Sequence, residues 1–511
     1  MAGDAPPLSS AVEGQDGGLG DAPHLPTKLA GAVWWVAAGV IVVELAVSAR
    51  YGFHRDELYF SACAHRLAFG YVDQGPLAPA LVRVAIDLFG TSPSAVRVFP
   101  ALAGGAVVVG TGLTASALGG GRFAQLLAAV AMACAPITLG AAHLAGTTVY
   151  DLAAWTFTLW LVVRAVLLHR PRSWLAAGAV VGLGLENKDL LVLLLVALVV
   201  GLLLTPSRSV LATPWPWVGV SIAVLLWMPN LIWELTHGTP ALAMDRSLAA
   251  EHSASGDYVG FLPAQLILGG LFAAPMLIVG IVDLVRRRQI RFIAVAAALV
   301  LVYVFATIPG RTYYTAGFLP LVLALGAIRI EERDASSLRR RLWLGAPVVG
   351  LVLTVSFILP VLPLSTFAQL RALHTINYDL GETVGWPQLT RQVATVYDAL
   401  PPAERRNASV FTSNYGEAGA IALYGPALGL PVPLSGHNTY WLWGPGAADD
   451  QVVIAVGAVE QLRPHFAQCR YVAAIHSPDD VNNDENGTPI GICTGPRGPW
   501  SSFWASLRNY G

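Results

Sequence analysis

The chain contains a succession of apolar runs, each close to the length that a helix needs to cross a lipid bilayer, which is about 20 residues. Charged residues make up 12% of the 511 residues, whereas about 25% is usual in soluble chains. This pattern excludes an ordinary cytosolic enzyme and predicts a polytopic α-helical membrane protein. We predict spans at 29–49, 95–118, 123–142, 147–168, 215–235, 260–284, 292–308, 313–330 and 342–364.

The stretch 174–204 is too long for one ordinary span, and the polar residues 186–189 divide it into two short pieces. Arginine and lysine are expected in cytoplasmic loops. With two helices in this stretch and a cytoplasmic N-terminus, the basic clusters at 169–172, 286–291 and 339–341 all fall inside. We therefore predict about eleven transmembrane helices in the plasma membrane, with loops 50–94 and 236–259 on the outer side. The second of these loops is interpreted as a connector, with closure over a substrate as the alternative.

Three regions follow from the composition. Residues 1–28 lack apolar periodicity and are predicted to be a disordered cytoplasmic tail, 29–365 form the transmembrane module, and 366–511 form a C-terminal extracytoplasmic α/β domain. In that domain we predict strands at 409–412, 452–456 and 471–475 and helices at 386–399 and 416–424. Cys469 and Cys493 both lie in it, and an oxidising compartment permits either a disulfide or two buried free thiols.

The loop 50–94, called the first loop, contains four consecutive ionisable residues, His54, Arg55, Asp56 and Glu57. Ionisable groups at the mouth of a membrane helix are costly, so they favour a functional role. The alternative is a solvated helix cap, because acidic residues suit the first turn of a helix predicted at 57–68.

Several segments of the chain resemble glycosyltransferase family 39, whose GT-C-fold members include protein O-mannosyltransferases and lipid A aminoarabinose transferases. The resemblance extends over about 29–330, and its motifs keep the family's order. No single motif is specific, but their combination in this order with a matching topology is. The motifs are Arg55-Asp-Glu-Leu-Tyr59, Tyr71-Val-Asp-Gln-Gly-Pro-Leu77, Tyr150-Asp151, Gly182-Leu-Gly-Leu-Glu-Asn-Lys188 and Gly310-Arg-Thr-Tyr-Tyr-Thr-Ala-Gly-Phe-Leu-Pro320.

The resemblance implies a GT-C-like module in which Asp56 stands at the reacting centre and the donor is a sugar on a polyprenyl phosphate. A carboxylate can deprotonate an acceptor hydroxyl, and fixed cations can stabilise the departing phosphate. We therefore predict Asp56 and Glu57 as catalytic residues and Lys188, Arg311 and Arg55 as ligands of the donor phosphate. The predicted substrate-binding residues are His54, Asp73, Gln74, Asp151 and Tyr313. Some family members have a basic residue near the position of Gln74, and this chain lacks it, so Gln74 is assigned to substrate binding and not to the phosphate.

The two leading cations each have an alternative interpretation. Lys188 is one of only two lysines in the chain, yet it could be an interface residue paired with Glu186 or Asp189. Arg311 precedes Tyr313 and could anchor the chain at the membrane interface, although a guanidinium also binds phosphate bidentately. These residues are predicted to share one cavity with Asp56.

The predicted function is transfer of a sugar from a polyprenyl-phosphate donor to an acceptor hydroxyl at the outer membrane face, with inversion of configuration. The acceptor is a protein, a glycolipid or a wall polymer, and the remaining partner is the lipid bilayer. The alternatives are a transporter or flippase of envelope precursors and a non-catalytic assembly scaffold.

The near-neutral net charge of the chain argues against nucleic acid as a binding partner. No metal site or cofactor is predicted, and assistance by a divalent cation stays open. In the C-terminal domain, 414–419 and 435–445 are either acceptor-binding or core segments.

Overall fold

The computed structural model describes residues 27–255, 258–307, 311–334, 336–370, 377–446 and 451–510, without the side chains of 248–255. The predicted disordered tail lies outside these ranges except for its last two residues.

The membrane module is built from apolar helices. Six of those in the described ranges are long and apolar enough to cross a bilayer: Pro93–Ala117, Thr148–Leu167, Pro214–Thr236, Arg288–Thr307, Thr312–Arg333 and Ser337–Ile358. Three bent pairs raise the number to nine if each pair is one span: Arg122–Ala133 with Pro136–His143, Leu191–Leu203 with Pro206–Ala212, and Phe261–Leu268 with Leu271–Arg286. Gly31–Val47 and Ser173–Leu185 are shorter apolar helices. The polytopic helical fold is confirmed, whereas the number eleven and the sidedness of the loops stay predictions.

Two predicted spans are sharply bent, which the length of their apolar runs did not reveal. The span 123–142 bends by 54° because Pro136 begins a new helix and the preceding Ala135 is extended, with φ −70° and ψ 129°. The span 260–284 bends by 88° at Gly269-Gly270, where Gly270 adopts φ +93°. Proline and glycine therefore interrupt runs that are apolar enough to be continuous.

The predicted division of 174–204 is confirmed as a break between two helices. One helix ends at Leu185 and the next begins at Leu191, and the first loop contacts the segment between them. The Leu77 N–H donates to the Glu186 carbonyl at 2.9 Å, and a Cβ on Gly75 would lie only 2.2 Å from the same oxygen. This close approach requires glycine at 75 and joins the first loop to the segment that carries Lys188.

The first loop contains two main helices, Arg55–Ala64 and Leu77–Phe89. The first of these, called the loop helix, begins two residues before its predicted start. The loop 236–259 contains a helix, Pro240–Ser255, and its interpretation as a connector stays a prediction.

The C-terminal domain contains a five-stranded mixed sheet. Its strands are β1 Ala408–Thr412, β2 Leu434–Ser435, β3 Val452–Val456, β4 Phe466–Ala474 and β5 Pro489–Pro496. They lie in the order β2-β1-β3-β5-β4, in which β1 is parallel to β2 and β3, and β5 is antiparallel to β3 and β4. The main helices are Leu364–Gln369, Trp386–Asp398, Pro402–Arg405, Tyr415–Tyr424, Thr439–Trp443, Val459–Leu462 and Trp500–Phe503, with short 3-10 turns including Tyr378–Thr383. Cys469 and Cys493 face each other on β4 and β5 and form a disulfide.

The loop helix and the C-terminal domain share one hydrophobic core. Leu58 and Phe60 of the loop helix cluster with Ile421, Val410 and Ile454 of the domain, and all five side chains are buried. Burial of an aliphatic or aromatic side chain contributes about 1.5–3 kcal/mol. The shared core therefore fixes the first loop against the domain and sets the position of the residues that begin the loop helix.

Candidate active site

A cavity of about 1200 Å³ lies where the first loop, the membrane helices and the C-terminal domain meet. Eight of the ten predicted site residues line it: His54, Arg55, Asp56, Asp73, Gln74, Lys188, Arg311 and Tyr313. Glu57 and Asp151 do not line it. The cavity therefore brings together predicted residues that are up to 259 positions apart in the sequence, from His54 to Tyr313.

The beginning of the loop helix presents Asp56 to this cavity. The His54 imidazole caps the helix, with Nδ1 accepting from the Asp56 N–H at 3.2 Å. The Asp56 side chain is 42% exposed, and its Oδ1 accepts a hydrogen bond from the Tyr415 hydroxyl at 2.7 Å. Its Oδ2 lies 3.8 Å from His54 Nδ1, too far for a hydrogen bond. Asp56 is thus held at one oxygen and accessible from the cavity.

Glu57 has different surroundings from Asp56. Its carboxylate is fully buried and accepts two hydrogen bonds from Arg97, from Nε at 2.8 Å and from Nη2 at 2.7 Å. It also accepts from the backbone N–H groups of His54 and Ala145. The helix-cap interpretation therefore fits Glu57, and its placement away from the cavity does not support the catalytic role predicted for it. A carboxylate so enclosed cannot contact a substrate.

Arg55 faces the C-terminal domain as well as the cavity. Its Nη1 donates to the Tyr378 hydroxyl and to Asp484 Oδ2, each at 3.1 Å, and lies 3.8 Å from Glu382 Oε2. The carboxylates of Asp484 and Glu382 offset much of the positive charge of Arg55, which would otherwise attract a phosphate. The predicted phosphate contact from Arg55 is therefore weaker on electrostatic grounds than one from a cation that lacks such partners.

A second group of cavity residues surrounds Lys188. The Lys188 ammonium lies 4.4 Å from the centre of the Tyr314 ring and 5.5 Å from that of Tyr313, within the range of cation–π attraction. Arg311 Nη1 donates to the Tyr313 hydroxyl at 3.3 Å. Asp151 is buried, accepts from the Trp155 indole N–H and attracts Lys188 electrostatically. Two cations thus lie together with aromatic neighbours, and no acidic residue is in a salt bridge with either among the described residues.

Asp73 and Gln74 lie on the segment that follows the loop helix. Asp73 Oδ1 accepts from the Tyr59 hydroxyl at 2.7 Å. Burial raises the pKa of the Asp73 carboxyl to about 7, against the lowering effect of that hydrogen bond. A carboxyl with this pKa changes its charge near neutral pH.

Two cavity residues of the C-terminal domain interact with the first loop and were not among the ten predicted site residues. Tyr415 begins a helix in the segment 414–419, whose composition indicated a helix start but no contact with Asp56. Asp379 lies 3.7 Å from His54 Nε2 and also lines the cavity. Burial opposes a charge on His54, but Asp56 and Asp379 outweigh it and hold the imidazole pKa above its ordinary value. No local sequence signal distinguishes Asp379 from other acidic residues.

A metal centre is not apparent in the part of the chain that the structure describes, where no group of three or more His, Cys, Asp or Glu side chains is arranged to hold an ion.

Residues 73–233 match the sequence profile of a family described as dolichyl-phosphate-mannose-protein mannosyltransferase. The match includes Asp73, Asp151 and Lys188 but not Asp56 or Arg311. Among curated proteins, no sequence matches the chain significantly.

Two solved structures of ArnT from Cupriavidus metallidurans are similar to this chain. The structure bound to undecaprenyl phosphate has a TM-score of 0.59 at 15% identity and covers 92% of this chain and 99% of that chain. The apo structure has a TM-score of 0.58 at 15% identity and covers 94% and 99%. At this identity the likeness shows the fold, which is the GT-C fold of these proteins. Together with the profile match, it confirms the resemblance found in the sequence.

Proposed function

We propose that this chain is a membrane glycosyltransferase that transfers a sugar from a polyprenyl phosphate to an acceptor hydroxyl at the outer face of the plasma membrane. The observation that carries the proposal is the shared cavity, which Asp56, Lys188 and Arg311 all line. A similar structure has undecaprenyl phosphate bound, which supports a lipid-linked donor. Apolar side chains of the membrane helices, among them Val196 and Leu271, line the same cavity and suit an isoprenoid chain.

Asp56 is the proposed general base. The acceptor hydroxyl gives its proton to Asp56 Oδ2, because Oδ1 already accepts from Tyr415. The acceptor oxygen forms a bond to the anomeric carbon of the sugar as the bond from that carbon to the phosphate oxygen breaks. A single displacement of this kind inverts the anomeric configuration. The polyprenyl phosphate leaves with an added negative charge.

Lys188 and Arg311 are the proposed ligands of that phosphate. Both cations are already neighbours before a ligand binds, and preorganised charges of this kind stabilise a developing anion without reorganisation. Tyr313 accepts a hydrogen bond from Arg311 at its hydroxyl, and Asp151 attracts Lys188 electrostatically. Their roles in this proposal are positional.

The remaining predicted residues have supporting roles in the proposal. His54 fixes the backbone of Asp56, and Glu57 fixes the beginning of the loop helix through Arg97. Arg55 connects the first loop to the C-terminal domain. Asp73 and Gln74 face the sugar. The C-terminal domain lies outside the cell in this proposal, and the acceptor is a protein, a glycolipid or a wall polymer.

Substitution of the proposed base tests the function. Asp56→Asn should reduce sugar transfer by at least a hundredfold in membranes supplied with polyprenyl-phosphate sugars, since general bases contribute about 10²–10⁴-fold. Asp87→Asn is the matched control, because Asp87 lies in the same loop but is exposed and pairs with Arg83 instead of lining the cavity. Equal transfer by both variants would remove Asp56 from the mechanism. Uptake of the lipid-linked sugar into proteoliposomes without any transfer would favour a transporter instead.

A further inference from the structure

Asn438 is a cavity residue of the C-terminal domain that the proposed mechanism does not use. Its side chain is 1% exposed, and neither Oδ1 nor Nδ2 has a hydrogen-bond partner among the described residues. Its backbone has φ +47° and ψ −133°, a strained conformation for a residue with a side chain. The Asn438 N–H donates to the Asn509 carbonyl at 2.9 Å, which helps to hold the strained backbone in place.

The residues on either side of Asn438 contact the proposed active site. His437 Nδ1 accepts from the backbone N–H of Tyr415, whose hydroxyl donates to Asp56. Thr439 Oγ1 accepts from the Val72 N–H at 3.0 Å, two residues before Gln74. Asn438 is therefore fixed between the residue that orients the proposed base and the segment that carries Gln74.

Gln74 is the second buried carboxamide in the cavity. It is 5% exposed, and neither Oε1 nor Nε2 has a partner in the described part of the chain. Its carbonyl accepts from the Tyr71 N–H at 3.0 Å, and the next residue, Gly75, is in close contact with Glu186. The backbone at Gln74 is thus fixed, and its amide cannot turn away by a loop movement alone.

Two buried amides without partners are costly in a folded protein, because each unsatisfied polar group loses its hydration. A carboxamide offers one acceptor and two donor hydrogens. Sugar hydroxyls both donate and accept, so they complement this pair of groups. A phosphate offers acceptors only, and it would face the amide oxygens unfavourably. The cations Lys188 and Arg311 supply a separate place for it.

We propose that Gln74 and Asn438 form a carboxamide subsite that binds the hydroxyls of a neutral, hydroxyl-rich sugar on the donor, next to Asp56. This inference rests on the proposed function, because it identifies the sugar-binding part of the same cavity. It gives the C-terminal domain a direct part in selecting the donor sugar.

The experiment compares binding of bare undecaprenyl phosphate with binding of synthetic polyprenyl-phosphate mannose and polyprenyl-phosphate 4-amino-arabinose to the full-length protein in detergent. The variants are Gln74→Leu, which keeps the side-chain volume, and Asn438→Gly, which keeps the positive φ. Asn438→Asp, which retains the shape of the asparagine side chain, is the second variant at this position in case Asn438→Gly does not fold. Gln388→Leu, in the same domain but away from the cavity, is the control. Thermal unfolding verifies that each variant is folded.

Wild type should bind the neutral mannose donor more tightly than bare lipid phosphate. Gln74→Leu and Asn438→Gly should each lose about tenfold in affinity for that donor, which corresponds to the loss of one or two hydrogen bonds, and keep their affinity for the bare lipid. Asn438→Asp adds a charge that repels the phosphate of both lipids, so its expected effect is loss of the preference for the mannose donor over the bare lipid. Three results would overturn the subsite. The variants could lose affinity equally for the mannose donor and for the bare lipid, or they could keep the wild-type preference for the mannose donor. The third such result is a preference for the amino-sugar donor that persists in the variants. Failure of the wild type to bind either bare or glycosylated lipid would instead refute the proposed function itself.

Discussion

The ion pair between Arg97 and Glu57 should be the main electrostatic support of the loop helix. Arg97 is 1% exposed, and it donates to the carbonyls of Ser48 and Gly52 as well as to both Glu57 oxygens. Removing one partner of a buried pair costs about 3–5 kcal/mol, because the other charge stays buried without compensation. Arg97→Met should therefore lower the free energy of unfolding by about 3–5 kcal/mol.

A double-mutant cycle isolates the pair. Glu57→Gln leaves Arg97 charged and without its carboxylate partner. Its single amide oxygen can accept from only one of the backbone N–H groups of His54 and Ala145, which donate to different oxygens of Glu57. The double variant Arg97→Met/Glu57→Gln removes both charges of the pair. Its loss in the free energy of unfolding should be smaller than the sum of the two single losses by at least about 1 kcal/mol, as expected for residues in contact.

Unfolding in mixed micelles with increasing dodecyl sulfate, followed by tryptophan fluorescence, gives these free energies. Arg83→Met is the control, since Arg83 and Asp87 form an exposed pair whose loss should cost less than about 1 kcal/mol. The reasoning fails if Arg97→Met costs no more than this control. It also fails if the effects of Arg97→Met and Glu57→Gln add within about 0.5 kcal/mol, the usual range for independent sites.

Two further predictions concern the site and the C-terminal domain. Because burial raises the pKa of Asp73 from 3.8 to about 7, its contribution to stability is present below pH 3.8 and is lost as pH rises through 7. Asp73→Asn should flatten the pH dependence of thermal unfolding over this interval, and an unchanged profile would contradict the assignment. The disulfide between Cys469 and Cys493 closes a segment of 24 residues, so the double serine variant should lose about 3 kcal/mol. Limited proteolysis of the domain measures this loss, and thiol alkylation that detects four free cysteines in the denatured, unreduced wild type would refute the bond.

The helical part of the fold was largely predictable, because bilayer thickness fixes how long an apolar run must be. The break at 186–189 was visible as four polar residues within an apolar stretch. The bends at Pro136 and Gly270 were missed, because each apolar run is long enough to predict one continuous span even though it contains a helix-breaking residue. Strand β5 was also missed, because Pro489, Gly491, Gly495 and Pro496 obscure its alternation.

The candidate site was predictable where chemistry is concentrated in one motif and not where it is assembled by the fold. The row of ionisable residues drew attention to Asp56, and the scarcity of lysine to Lys188. Arg97 and Asp379 gave no such signal, because an isolated polar residue has the same appearance in a loop as in a cavity. The segment 435–445 was noted for its aromatic and hydrogen-bonding residues, but nothing in it distinguished Asn438 from its neighbours. Only the fold reveals that Asn438 is buried without a partner.

The position of Asp56 depends on both modules of the chain. Its backbone lies in a helix that Arg97 holds from the membrane module, 40 residues from Glu57, and its carboxylate is held by Tyr415, 359 residues away. A general base must lie within hydrogen-bond reach of the proton that it removes. The motif around Asp56 supplies the chemical group, but its orientation comes from Tyr415 and from the core shared with the C-terminal domain. In the proposed mechanism the C-terminal domain is therefore a structural part of the active site, and changes in it should alter catalysis even where no residue of the motif is touched.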